Sequence, residues 1–314
     1  MALSKQLLLG LALLLLAACQ AAAPASPAPD PTPSPEAAAT PEPPPTNIAF
    51  QSDGAGDYDI YVMKSDGSGR RRLTSSSWQD LDPAWSPDGA QIAFSSTRDA
   101  NFNIYVMNAD GSDERRLTND AGVDADPTWS PDSAQIAFVS NRDLNLDIFV
   151  KLLNQPIDAQ PVNLTRSPSN DQAPAWSPDG ARLLFVSDRD GNNEIYVMNR
   201  DGSNQVNLTN SVGNEQSPAW SPDGAQIAYS TTRDGNFEIY VMNADGAGQR
   251  RLTSNQTADQ APAWSPDGTH LVFHSDRDGV FNLYLVALDG SGQSRLTMGA
   301  ANNRNPAWSG ALAK

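Results

Sequence analysis

From residue 47 onward, apolar positions come in short runs separated by polar turns, as in Ile92-Ala93-Phe94 and Ile104-Tyr105-Val106-Met107. Each run is rich in β-branched or aromatic residues and is bounded by Pro-Asp-Gly, Asp-Gly or similar turn signals, which predicts antiparallel strands joined by tight hairpins. One unit reads as four strands: A (Pro-Ala-Trp), B (Ile-Ala-Phe), C (Ile-Tyr-Val-Met) and D (Arg-Leu-Thr). In the turn after strand A, proline presets the dihedral that opens the bend and glycine accepts the positive dihedral that closes it.

The unit recurs at a fixed period. Its tryptophan stands at Trp85, Trp129, Trp176, Trp220, Trp264 and Trp308, at intervals of 44, 47, 44, 44 and 44 residues. Such spacing marks stacked copies of one supersecondary unit. B strands start at Ile48, Ile92, Ile136, Leu183, Ile227 and Leu271, so the chain enters the array at a B strand and leaves it at an A strand, Pro306-Ala307-Trp308-Ser309. Only return of the C-terminal A strand to the N-terminal blade completes the set. The expected fold is an all-β, six-bladed β-propeller over residues 47–310 with four antiparallel strands per blade, leaving residues 311–314 as a tail. The third copy departs from the pattern, with Ser133 and Leu144 where glycine is usual and three extra residues around Gln155-Pro156-Ile157-Asp158. Drift in a tolerant loop and a local recognition feature are both open there.

The first 46 residues are of another kind. Residues 1–18 carry Lys5 and then Leu7-Leu8-Leu9 and Leu13-Leu14-Leu15-Leu16, the pattern of a secretory signal. Leu16-Ala17-Ala18-Cys19 resembles the bacterial lipobox, and the resemblance implies lipid transfer to Cys19, the only cysteine, with cleavage before it. An ordinary signal cut after an alanine is the alternative. Residues 20–46 hold ten prolines among Ala, Ser and Thr, so residues 19–46 read as a lipidated cysteine followed by a semi-rigid tether. Fully extended, that tether spans on the order of 80 Å. The expectation is an exported protein, anchored through Cys19 to the cell membrane or outer membrane and facing the periplasm or the exterior.

Charge narrows the partners. The chain carries 37 acids against 21 Lys and Arg, a formal charge of −16, and loss of residues 1–18 takes this to about −17. A surface so acidic repels nucleic acid, and the one basic run, Arg70-Arg71-Arg72, reads as the solvated end of a D strand. The expected partner is a protein or peptide with basic character, met by a monomeric propeller.

The Trp220-Ser221-Pro222-Asp223-Gly224 segment, the Arg233-Asp234-Gly235-Asn236 turn and the Ile239-Tyr240 strand resemble the β-propeller repeats of the TolB family. The resemblance implies the propeller fold and an envelope protein that binds another protein through one propeller face. In TolB itself an α/β domain precedes the propeller, and here a proline-rich stretch stands in that place.

Antiparallel order puts the D-to-A and B-to-C connections on one face. Three residues before each strand A proline stand Asp80, Asp124, Asp171, Glu215, Asp259 and Asn303, a ring expected near the channel mouth and a candidate site for a cation, including calcium, or a basic side chain. The B-to-C turns of blades two to six carry Arg98, Arg142, Arg189, Arg233 and Arg277, whereas the first blade has no arginine in that turn and Asn303 in its ring position. Acid and arginine occur together or not at all, the pattern of pairs within each blade. The same face carries a series of positions before strand C (Tyr58, Phe102, Leu146, Asn193, Phe237 and Phe281), expected to pack between blades. Trp78 has no counterpart in other repeats and is the candidate aromatic contact. No cofactor is implied. A carbohydrate-active or other envelope enzyme built on the ring carboxylates, with metal assistance, is the competing reading. The two histidines, His270 and His274, share one side of a B strand with no third ligand in view, and the chain has no Gly-x-Ser-x-Gly elbow. Oligogalacturonate-lyase-like propellers resemble this repeat, and that resemblance implies a histidine-rich metal site, which a chain with two histidines can hardly supply.

Overall fold

The computed structural model describes residues 47–310, so Cys19, the leader and the proline-rich stretch lie outside the described residues, as does the tail. Six four-stranded antiparallel sheets follow one another, each running A-B-C-D outward. The first sheet takes its strand A (Asn303–Trp308) from the end of the chain, beside strand B (Asn47–Ser52). Ile48 faces Trp308 and Ser52 faces Asn303 across that seam. The seam is locked at its end, where Ser309 N–H donates to the Asn47 carbonyl at 2.8 Å and Asn47 N–H donates to Ser309 Oγ at 3.0 Å.

Every residue of the Trp-Ser-Pro-Asp-Gly phrase has a task. In the second blade Ser86 Oγ donates to Asp88 Oδ1 and accepts the Gln91 N–H at 2.9 Å, while Asp88 Oδ1 accepts the Ala90 N–H at 3.0 Å and Gly89 sits at a φ of +69°. These side-chain bonds hold the turn that launches strand B. The tryptophan looks the other way, into the preceding blade. Trp129 Nε1–H donates to Ala84 O at 3.0 Å, Trp264 to Ala219 O at 3.1 Å and Trp308 to Ala263 O at 3.1 Å. The apolar clusters likewise straddle neighbours: Ile148 and Leu164 of the third blade pack with Trp176, Phe185 and Tyr196 of the fourth, and Ile48 and Phe50 of the first with Leu283 and Leu285 of the sixth. The core is thus divided into sectors between blades, which makes ring closure an energetic necessity for both end blades.

Two strand boundaries differ from expectation. Strand A starts three residues early, at the acid itself (Asp80–Trp85, Asp124–Trp129, Asp171–Trp176, Glu215–Trp220, Asp259–Trp264), and strand D shrinks to a two-residue bridge such as Arg115–Arg116. Each strand A carries a β-bulge two residues after its start, where Asp82, Asp126, Ala173, Ser217, Ala261 and Asn305 all adopt φ between 49° and 53°. The bulge resets the alternation of side chains. It turns the acids inward and presents the next two positions to the axis.

The third-blade insertion also has a structural cause. Lys151 occupies the strand C position held by Met63, Met107, Met198 and Met242 elsewhere, and it is 2% exposed. Its ammonium donates to the carbonyls of Ile157 and Ala159, both in the extra loop. Burial pushes this lysine below its ordinary basicity. The insertion supplies the acceptors that a buried ammonium requires.

Candidate binding face around the central channel

The ring acids do not form an open acidic mouth. Asp80, Asp124, Asp171, Glu215 and Asp259 are 0% exposed, and each lies against the B-to-C arginine of its own blade: Arg98 at 3.2 Å, Arg142 at 2.9 Å, Arg189 at 3.0 Å, Arg233 at 3.2 Å and Arg277 at 2.9 Å. The guanidinium also lies over the aromatic pair of strands B and C, as Arg189 does 5.3 Å from the Phe185 centroid and 4.6 Å from Tyr196. The next residue of the turn serves a second bond. Asp99, Asp190, Asp234 and Asp278 accept the hydroxyls of Tyr105, Tyr196, Tyr240 and Tyr284, and burial with this acid neighbour pushes Tyr105 up to about 12. The Arg-Asp turn and the Ile-Tyr strand are therefore one hydrogen-bonded unit. For Asp171 and Asp259, burial outweighs the arginine and raises both above the ordinary carboxylate range.

The first blade solves the same problem differently. Gly54 stands where the other blades have arginine, and Arg70, from the D side, fills the vacant place: its Cζ is 5.3 Å from Phe50 and 4.5 Å from Tyr61, and its Nη2 donates to Ser52 Oγ at 2.8 Å. A side chain at Gly54 would come within 3.6 Å of that guanidinium. Arg72 bridges the buried Asp59 at 2.6 Å. The arginine run is thus partly structural, a correction to its reading as a solvated strand end. Asp59 belongs to a second buried ring, with Asn103, Asp147, Glu194, Glu238 and Asn282 at the start of strand C, which the repeat pattern did not bring out. Thr165 shows its role, donating to Asp147 at 2.7 Å while accepting the Ile148 N–H at 3.0 Å, so strand D is latched to strand C.

What lines the axis is the pair of positions at and before the bulge. Polar side chains there meet their equivalents on neighbouring blades: Asn305 Nδ2 donates to Asp82 Oδ1 at 2.6 Å, and Gln260 Nε2 to Gln216 Oε1 at 3.4 Å. Asp82 and Asp126 lie side by side on the second and third blades. Burial first, and then the Asp126 charge, lifts Asp82 well above the ordinary carboxylate range, and burial raises Asp126 as well. His274 is buried, accepts the Asn305 N–H at Nδ1 at 3.2 Å, and is pushed down to about 3 by burial and then by Arg304, which keeps it neutral. Among the described residues no group of three or more His, Cys, Asp and Glu side chains comes together to hold a metal.

The outer loops of this face are apolar at four points. Trp78, Val212 and Met298 in D-to-A connections and Leu144 in a B-to-C turn are 47%, 97%, 68% and 98% exposed. Leu144 also adopts a φ of 91° at the position where other blades place Gly56, Gly191, Gly235 and Gly279. The pre-C residues Tyr58, Phe102, Leu146, Asn193, Phe237 and Phe281 are half-buried beneath these loops.

Closed ring, inter-blade tryptophans and bulged inner strands define a six-bladed propeller of the Trp-Ser-Pro-Asp-Gly repeat class. A family model, the TolB beta propeller domain, matches residues 36–118, 78–160 and 204–312, more than half of the chain. The chain belongs to that family. No curated protein matches it significantly. Among solved structures it is similar to TolB from Acinetobacter baumannii (24% identity, 85% of this chain and 67% of that one, TM-score 0.77) and to a candidate TolB from Agrobacterium tumefaciens (23% identity, 81% and 88%, TM-score 0.66). An oligogalacturonate lyase from Vibrio parahaemolyticus shares the fold at 14% identity over 83% of this chain and 75% of that one, with a TM-score of 0.53.

Proposed function

We propose that the protein is an exported envelope lipoprotein, held by a lipidated Cys19 and a proline-rich tether, whose propeller binds a protein partner without catalysis. The face of the D-to-A and B-to-C loops is the binding side, with Trp78, Leu144, Val212 and Met298 as contact residues. The observation that carries this reading is Leu144. A leucine in a left-handed turn, almost wholly in solvent, gains nothing for the fold from its side chain and costs on the order of 1 kcal/mol of backbone strain. Such a residue is explained by what it touches in a complex, as are large apolar side chains exposed together on one face. The TolB resemblance supports a protein as the partner.

The test is crosslinking of the full-length protein in its own envelope, with the wild type compared against W78A, L144G and, on the opposite face, I157A. The two loop-face variants should lose the crosslinked product while I157A retains it. Equal capture by all four removes the loop face from the binding reading. Labelling with a radioactive fatty acid tests the anchor, since a Cys19→Ser protein that still takes label is not anchored through Cys19.

A further inference from the structure

We infer that Arg304 forms a carboxylate-binding site at the channel mouth, between the first and sixth blades. The inference rests on the partner-binding reading only for the owner of the carboxylate, which is the partner chain. Arg304 is the second residue of the closing strand, in register with Gln51. The equivalent positions of the other blades hold Leu81, Ala125, Gln172, Gln216 and Gln260, so Arg304 is the one charge in a ring of uncharged side chains. Its guanidinium carbon lies 3.8 Å from the centroid of Phe281, which stands edge-on to His274 at 5.1 Å.

Among the described residues this guanidinium makes no salt bridge, and its buried Nε has no hydrogen-bond partner. The carboxylates that attract it are already engaged. Asp53 accepts Asn302 N–H and Asn302 Nδ2, each at 2.7 Å, and Asp276 accepts the Ala258 N–H at 2.8 Å. The other half-buried channel-side arginines, from Arg98 to Arg277, each hold a fully buried acid of their own blade, whereas the ring position beside Arg304 is the neutral Asn303. The blade that lost the acid is thus the blade that presents an unpaired guanidinium.

A guanidinium stays charged at any physiological pH, and its fork of donors matches a carboxylate in two parallel hydrogen bonds. Left unpaired in partial burial it is costly, so an anion seated there relieves a penalty as well as forming bonds. Phe281 covers one face of the guanidinium and leaves its donor edge for the ligand. The sequence pointed to a cation at this mouth. With those five acids sealed by arginines, the unpaired side chain of the closing strand is of the opposite sign.

The experiment uses the full chain in detergent, labelled with nitrogen-15 arginine, and follows side-chain Nε–Hε resonances, the Arg304 signal being assigned by its loss in R304K. The probe is sodium acetate, against acetamide and against chloride at equal ionic strength. The Arg304 signal should move saturably with acetate alone. A stationary signal, equal movement with chloride, or a stronger response to inorganic phosphate than to acetate overturns the carboxylate assignment. R304Q should keep the wild-type melting temperature to within a few degrees, because the side chain donates to no described residue, and should weaken partner capture by about thirtyfold or more. If R304Q captures the partner at full strength while W78A and L144G do not, this inference fails and the binding face stands. Loss with R304Q but not with the loop variants has the opposite meaning for the loop face.

Discussion

Arg189 and Asp171 offer the sharpest test of how the channel ring works. Arg189 Nη2 reaches both oxygens of Asp171 at 3.0 and 3.1 Å, its Nε donates to Ser187 Oγ at 2.8 Å and its Nη1 to Gln205 Oε1 at 2.6 Å. Asp171 has no exposure at all, whereas the Arg189 side chain is 23% exposed. The two halves of the pair are therefore unequal. Replacing the arginine by glutamine leaves a carboxylate sealed in the protein. Breaking a fully buried pair in this way costs about 3–5 kcal/mol, and the partial exposure of Arg189 brings the figure down to about 2–3 kcal/mol. Replacing Asp171 by asparagine instead leaves a guanidinium that still has solvent, Ser187, Gln205 and two aromatic rings, at a cost of about 1 kcal/mol. At about 2–4 °C per kcal/mol for a domain of this size, R189Q should melt about 4–12 °C below wild type and D171N only about 2–4 °C below.

The pH dependence gives an independent check. Burial raises Asp171 above its ordinary value in the folded state, so the folded protein holds this proton more tightly than the unfolded chain does. Stability from this group is full below the ordinary carboxylate value and falls as pH rises through the raised one. Loss of Arg189 lifts the acid further and extends that fall. The R189Q deficit, measured by calorimetry or circular dichroism, should thus be small near pH 4 and complete near pH 8. A deficit that does not change with pH, or a D171N loss as large as that of R189Q, refutes the account.

Other outcomes follow from the same structure. L144G should raise stability by about 1 kcal/mol, because glycine takes the positive φ without strain, and chemical denaturation would show this as a higher midpoint even as capture of the partner falls. D82N should remove the loss of stability that the raised Asp82 imposes as pH climbs past the ordinary carboxylate range, a slope of at most about 1.4 kcal/mol per pH unit, and the gap between melting temperatures at pH 5 and pH 8 should be narrower in the variant than in the wild type. K151M installs the side chain that four other blades carry and frees Ile157 O and Ala159 O, so limited proteolysis should cut the 153–161 loop faster while the melting temperature holds or rises.

Blade number and ring closure were readable because they depend on local turn chemistry repeated at constant spacing. The joint presence of acid and arginine was readable for the same reason. Residue orientation was not. Whether Asp80 and its equivalents face the channel or the blade depends on the bulge two residues on, and that bulge is formed by Asp, Ala, Ser and Asn, with no glycine to announce it. Arg70 was hidden because it replaces a turn arginine from a different strand, which no alignment of repeats by position brings together. The role of Lys151 was hidden in a similar way: the sequence showed an insertion and a lysine, and only the fold puts the carbonyls of one against the ammonium of the other. Arg304 stood in plain view as the residue after Asn303, but its lack of a partner is a property of distances.

The closing strand sets a condition on synthesis. Until Trp308 has been made, the first blade is a three-stranded sheet with an open inner edge, and its sector of apolar surface against the sixth blade has no indole to fill it. A ribosome or translocation pore that releases the chain from its N-terminus delivers five complete blades before it delivers the strand that joins them into a ring. The ring is therefore finished by the strand Asn303–Trp308, and loss of that short segment by a stop codon or a protease would unmake a circle rather than trim an end.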